Sequence, residues 1–160
     1  MSCVFVLPVK NEVPIHWVPC PVSPGTTAYA PEEIRSLPMV YPHELLDWLV
    51  RTHRLCISAE EVREYWRHVR RYCDWALEHP ASEDHIPIGM WADEATYDAA
   101  KTLKVFCFTI DCPLFRPTDS AKSKLPLFAL RCCISLGRRT LNPLFQKVAW
   151  SMNVAFTGLR

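Results

Sequence analysis

HIPIGMWADEATYD (residues 85–98), LKVFCFTID (103–111) and LPLFALRCCISL (125–136) are three apolar runs separated by polar, turn-forming segments. Each is of strand length, carries β-branched or aromatic residues, and is bounded by Pro, Gly, Asp or Ser. The spacing predicts strands over 86–91 and 103–110 and a third after PTDSAKSK (117–124). Short connections between adjacent strands predict an antiparallel meander. Strands this apolar are stable only under cover, and the flanking segments read as helices that supply it.

Working outward, Gly137 ends the third run, Asn142 is a good N-cap, Pro143 suits the first helical position and Gly158 closes the far end. Leu144, Phe145, Val148, Ala149, Met152, Ala155 and Phe156 make the predicted buried face of this last helix. Upstream, Pro42 opens a helix that ends near His53, with Leu45, Leu46, Trp48 and Leu49 opposite Glu44 and Asp47. Ser58 and Glu61 form a capping box. Val62, Tyr65, Trp66, Val69, Tyr72, Cys73 and Ala76 then continue at helical spacing up to Pro80. Residues 1–40 hold seven of the 14 prolines and read as an extended arm that wraps the domain. Within it CVFVLPV (3–9) suits an edge strand, and HWVPCPV (16–22) is too proline-rich for a central one. The predicted fold is therefore α+β: a proline-rich arm over 1–40, then one domain over 41–160. That domain has two N-terminal helices, a three-stranded antiparallel meander and a C-terminal helix.

A length of 160 residues, 49% of them hydrophobic and 22% charged, fits one globular domain. The net charge of +1 selects no class of partner, so local patches decide. Eight cysteines without regular spacing are too few for a disulfide scaffold and read as mostly buried thiols. The first residues lack a basic start and are interrupted by Pro8 and Lys10, which predicts an intracellular rather than secreted chain. The longest apolar run, 125–136, is shorter than the roughly 20 residues that span a bilayer, so no membrane partner is predicted.

Asp93, just past the first predicted strand, is the leading acid for chemistry, because a strand end holds a carboxylate rigidly at the solvent. A strand-end aspartate followed by two strands and a helix is similar to the first half of the RNase H-like fold of transposases and integrases. That resemblance covers residues 86–157, and Asp93 is its one motif residue. It implies a divalent metal pair acting on phosphodiesters. The fourth strand that carries the family's second ligand is absent. Asp111 does not replace it, since the expected hairpin sets Asp111 beside His85 and roughly 20 Å or more from Asp93. IPIGMWADEATY, ISLGRRTLNPLFQKVAWSMNVAF and ISAEEVREYWRHVRRYCDWALEHP together resemble repeated, uncharacterised open reading frames of dinoflagellate algae, which are associated with mobile elements. That second resemblance spans about residues 37–158 and implies an origin, with no established activity.

Arg63, Arg67, Arg70 and Arg71, with His68, form a basic helix face suited to phosphates, although Glu60, Glu61, Glu64 and Asp74 are interspersed at pairing distance. Arg138 and Arg139 add a smaller patch predicted to return to the edge that carries Asp93. His16 with Cys20, and His53 with Cys56, have spacings that zinc uses, but no CxxC accompanies them, so no metal site is predicted. Cys107 reads as core, and Cys132 and Cys133 on one strand point to opposite faces. Trp48, Trp66, Trp75, Trp91 and Trp150 fall on core or boundary positions and Trp17 on the arm. Four glycines allow no nucleotide fingerprint. Three functions follow in order. The first is a non-catalytic, mobile-element-derived fragment that meets a downstream continuation or a second copy. The second is a DNA- or RNA-binding module on the arginine helix. The third is a nuclease on Asp93, the one reading that needs a divalent metal as cofactor.

Overall fold

The computed structural model describes residues 13–24, 31–100, 102–115 and 123–158. The chain is α+β, with strands β1 (Ile15–Val22) and β2 (Glu33–Val40), helices α1 (Pro42–Arg51) and α2 (Ala59–Tyr72), strands β3 (Gly89–Thr96), β4 (Lys104–Asp111) and β5 (Leu125–Arg131), and helix α3 (Arg138–Thr157). The expected antiparallel meander is present in the order β3-β4-β5. The capping box is present too: Ser58 Oγ accepts from the Glu61 amide, and the Glu61 carboxylate accepts from the Ser58 amide.

The proline-rich start is where the structure corrects the expected arm. Strands β1 and β2 pair antiparallel, and their Val18, Cys20, Val22, Met39 and Val40 belong to the main core. Pro19, Pro21 and Pro38 occupy the pairs Pro19↔Ser36, Pro21↔Ile34 and Trp17↔Pro38, all of one parity. Their missing N–H groups therefore all fall on positions that do not bond across the ladder, while the alternate side chains are free to be buried. CVFVLPV lies outside the described residues.

Helix α3 packs on β1 and α1. Its buried line is Thr140, Leu144, Val148 and Ser151, so Ala149, Ala155 and Phe156, predicted to be buried, are exposed. The helix starts at Arg138 rather than after Asn142, because Gly137, at φ 62°, turns the chain and the Thr140 hydroxyl accepts from the Leu136 amide. Pro143 then lies inside the helix. The same Thr140 hydroxyl donates to the Pro21 carbonyl at 2.5 Å, tying α3 to β1. At the other end Ser151 Oγ accepts the His43 amide at 3.0 Å. Helix α1 begins after Tyr41, whose side chain gives no cap, so a residue of α3 supplies it.

Three further expectations are corrected. The first meander strand runs over 89–96, not 86–91, because Pro87 has no N–H to give a ladder, and Asp93 therefore sits mid-strand, opposite Cys107. Helix α2 ends at Tyr72, where Cys73 turns extended, and a single 3₁₀ turn (Asp74–Ala76) replaces the predicted continuation toward Pro80, leaving Tyr72 and Trp75 exposed. Strand β5 ends at Arg131, so Cys132 and Cys133 lie on a 3₁₀ turn instead of a strand, and the chain bends to bond with β1 through Val22↔Ser135 and the Ser23 amide. Among the described residues, no helix is long and apolar enough to cross a membrane.

Candidate functional site

Helix α2 does not share the main core. Val62 and Trp66 bury themselves with Ala81 in a small separate cluster beside Ile57, Tyr65 and Leu114. The gap between that cluster and the main body is a groove of about 770 Å³, walled by α1, α2, the 75–90 segment and the last turns of α3. Exposed Val50, Trp75, Ile86, Met90 and Phe156 give it an apolar, partly aromatic lining. Its size is that of sites for small ligands.

Three histidines enter this lining, each with one ring nitrogen already engaged. His79 Nδ1 accepts from the Ala81 amide at 3.2 Å, and its ring lies over Trp66 (centroids 5.4 Å apart) and against the edge of Trp75. His85 Nδ1 accepts from the Ser82 amide at 2.8 Å and is 2.6 Å from Ser82 Oγ, while its ring stacks on Phe156 at 4.6 Å. A nitrogen that accepts from a backbone N–H carries no proton, so both neutral rings hold theirs on Nε2. His43 Nδ1 lies 2.8 Å from Ser151 Oγ. That hydroxyl oxygen already accepts the His43 amide, which leaves its proton to point at Nδ1. Ser151 is fully buried and bound on both sides, an anchor rather than a nucleophile.

Two acids of the groove lining accept from arginines. Asp47 accepts from Arg51 at 2.8 Å and Asp84 from Arg63 at 3.4 Å. Burial, and beyond it the nearby Cys112 and Cys73, push the Tyr65 phenol up, so it stays protonated. With Nδ1 engaged, what His79 and His85 leave to a ligand is an Nε2–H donor each.

The residues singled out from sequence lie elsewhere. Asp93 is exposed on β3, and its carboxylate accepts from the Glu94 amide at 2.8 Å. Asp111 pairs with Gly89, not beside His85, four ladder positions from Asp93. That is about 14 Å rather than the roughly 20 Å anticipated, and still too far to share an ion. Asp111 is committed to Trp91 Nε1 at 2.9 Å and Lys124 Nζ at 2.6 Å. Arg63 and Arg67 pair with Glu60, Asp84 and Glu83, and Arg70 bonds Glu83 and the Ala81 carbonyl. Arg71 stands over the exposed Tyr72 ring at 5.5 Å. Arg139 pairs with Glu32 rather than reaching Asp93, and Arg138 is exposed at the start of α3.

Neither zinc-like spacing forms a cluster. His16 meets Glu44 at 2.6 Å while Cys20 is fully buried, and the Cys56 thiol donates to the His53 carbonyl. Among the described residues no three His, Cys, Asp or Glu side chains are placed to hold a metal ion. The cysteines are less buried than expected: Cys20 and Cys112 are buried, Cys73, Cys107 and Cys132 half-buried, Cys56 and Cys133 exposed. Trp75, Trp91 and Trp150 are exposed instead of packed, as is Trp17. Polar contacts hold two of them: Lys124 sits 3.9 Å over Trp91, and Lys147 lies over Trp150.

The groove histidines escaped sequence reasoning because they share no periodicity. The one local signal was Ser82-x-x-His85, a serine placed to turn back on a ring three residues later. Comparison of the chain with protein-family models, curated proteins and solved structures finds no match in any of the three.

Proposed function

We propose that the chain is a non-catalytic binding module, derived from a mobile element of the kind its sequence resembles, and that the groove is where it binds. The observation that carries this reading is an open apolar groove whose histidines are fixed as donors. A neutral imidazole with its proton on Nε2 has no lone pair there to ligate a metal or take a proton. An open groove, together with a strand β3 that has one ladder neighbour among the described residues, supports a part that meets a partner. The test is thermal unfolding and tryptophan fluorescence with the neutral dye Nile red. Its binding should raise the melting temperature, and both Trp75→Ala and Phe156→Ala should weaken it. Saturation unchanged by both substitutions would refute the groove.

A second reading, single-stranded nucleic acid on the arginine helix, is favoured by Arg71 over the exposed ring of Tyr72, an arrangement that can stack a base. Against it, residues 59–85 carry seven carboxylates and four arginines. Salt-sensitive binding of an oligonucleotide, lost in Arg71→Ala, would favour it over the groove. Manganese-dependent cleavage lost in Asp93→Asn would do the same for the nuclease reading.

A further inference from the structure

We infer that the groove selects a small, neutral, apolar molecule bearing a carbonyl oxygen, received by the Nε2–H groups of His79 and His85. The inference rests on the groove being the binding site and names the chemistry it would take. Each of the two rings has a face against an aromatic neighbour, Trp66 for His79 and Phe156 for His85, and its Nδ1 on a backbone amide. The polar vertex that remains on each is Nε2–H, a donor that no change of tautomer can turn into an acceptor without breaking the amide bond at Nδ1. A group that satisfies it must be an acceptor.

Charge decides which acceptor. Glu78, Glu83 and Asp84 flank the two histidines, and four arginines fail to balance the seven carboxylates of residues 59–85. An anionic head would meet this surplus, whereas a ketone, ester or amide oxygen would not. An ammonium head, which the surplus would attract, carries no acceptor for the two Nε2–H groups. The apolar remainder of the ligand then lies along Trp75, Met90 and Phe156. A volume of about 770 Å³ suits a small molecule.

Three probes of one shape separate these possibilities: naphthyl methyl ketone, naphthoate and ethylnaphthalene, titrated into the full chain by calorimetry. The ketone should bind about fivefold more tightly than ethylnaphthalene, the margin of a neutral hydrogen bond, and more tightly than naphthoate. His79→Phe, which keeps a ring over Trp66, should erase part of that preference, and His79→Gln, which keeps a donor, should retain more of it. Nitrogen NMR shifts of His79 and His85 should report protonated Nε2 before any ligand is added. Equal binding of ketone and ethylnaphthalene, a preference for naphthoate, or protons on Nδ1 would overturn the inference. If all three bind equally and Phe156→Ala weakens all three, the groove stands and the carbonyl selectivity falls. If none binds, both fall.

Discussion

Strands β1 and β3 exchange the roles that their compositions assign them. β1 contains two prolines and reads as surface arm, yet Val18, Cys20 and Val22 are buried beneath α3. β3 comes from the apolar stretch from which the fold was read, yet every residue from Met90 to Thr96 is exposed. Both are eight residues long and both pair along an antiparallel ladder. What differs is the layer above. Helix α3 is pinned over β1 by Thr140 at one end and on α1 by Ser151 at the other, and no helix lies over β3 among the described residues. Burial of a strand is thus a property of the element that crosses it, and only then of its own hydropathy.

Substitution on matching strands is the most severe way to break this comparison. Val22→Asp places a charge in the main core and should cost about 4 kcal/mol or prevent folding, whereas Ala92→Asp on β3 should change stability by less than about 0.5 kcal/mol. Comparable losses in urea unfolding would mean that β3 is covered after all. Next in size, Ser151→Ala strips the amide of His43 of its acceptor and should cost about 1.5 kcal/mol, against almost nothing for Asp93→Asn. Gly89→Ala comes third. A Cβ there would run into the Asp111 carboxylate, which lies over the glycine while held by Trp91 and Lys124. A loss of about 1 kcal/mol is expected, shrinking in an Asp111→Ala background, and a double-mutant cycle measures the coupling.

Two smaller effects sharpen the contrast. The turn between β3 and β4 is held by Asp98, whose carboxylate accepts from the Thr102 hydroxyl and from the Leu103 and Thr102 amides. The Thr102 hydroxyl first, then the Leu103 amide, hold it below the ordinary aspartate value of 3.8. Its stabilising effect is therefore present above the unfolded-state value and is lost as pH falls through the lower folded one. Amide exchange at Thr102 and Leu103 should accelerate in that acid window while the β1–β2 pair stays protected. Last, burial raises the Cys20 and Cys112 thiols, so among the described cysteines alkylation of the native chain should reach exposed Cys56 and Cys133 first. Mass mapping after brief labelling checks the order.

The meander and the capping box were legible because strand-length apolar runs and Ser-x-x-Glu act locally. The β1–β2 pair was legible only in retrospect: Val18, Cys20 and Val22 alternate with Pro19 and Pro21, a period of two that the count of prolines concealed. The groove was not legible, since it depends on Cys73 breaking α2 and on Phe156, counted as core, meeting His85 from the other end of the domain. Asp93 misled for a related reason. Its place at a strand end hinged on where the ladder begins, and Pro87 delays that start to Gly89.

The hydroxyl that completes the first turn of α1 belongs to a residue 108 positions further along the chain. During synthesis that turn is unfinished until α3 emerges, and the β1–β2 pair, bound to Thr140 from 119 positions away, waits in the same way. Contacts of such sequence separation slow folding, because a long loop must close before either bond rewards it. The early part of the chain should therefore remain accessible to chaperones and proteases until α3 has emerged, and become protected together with it.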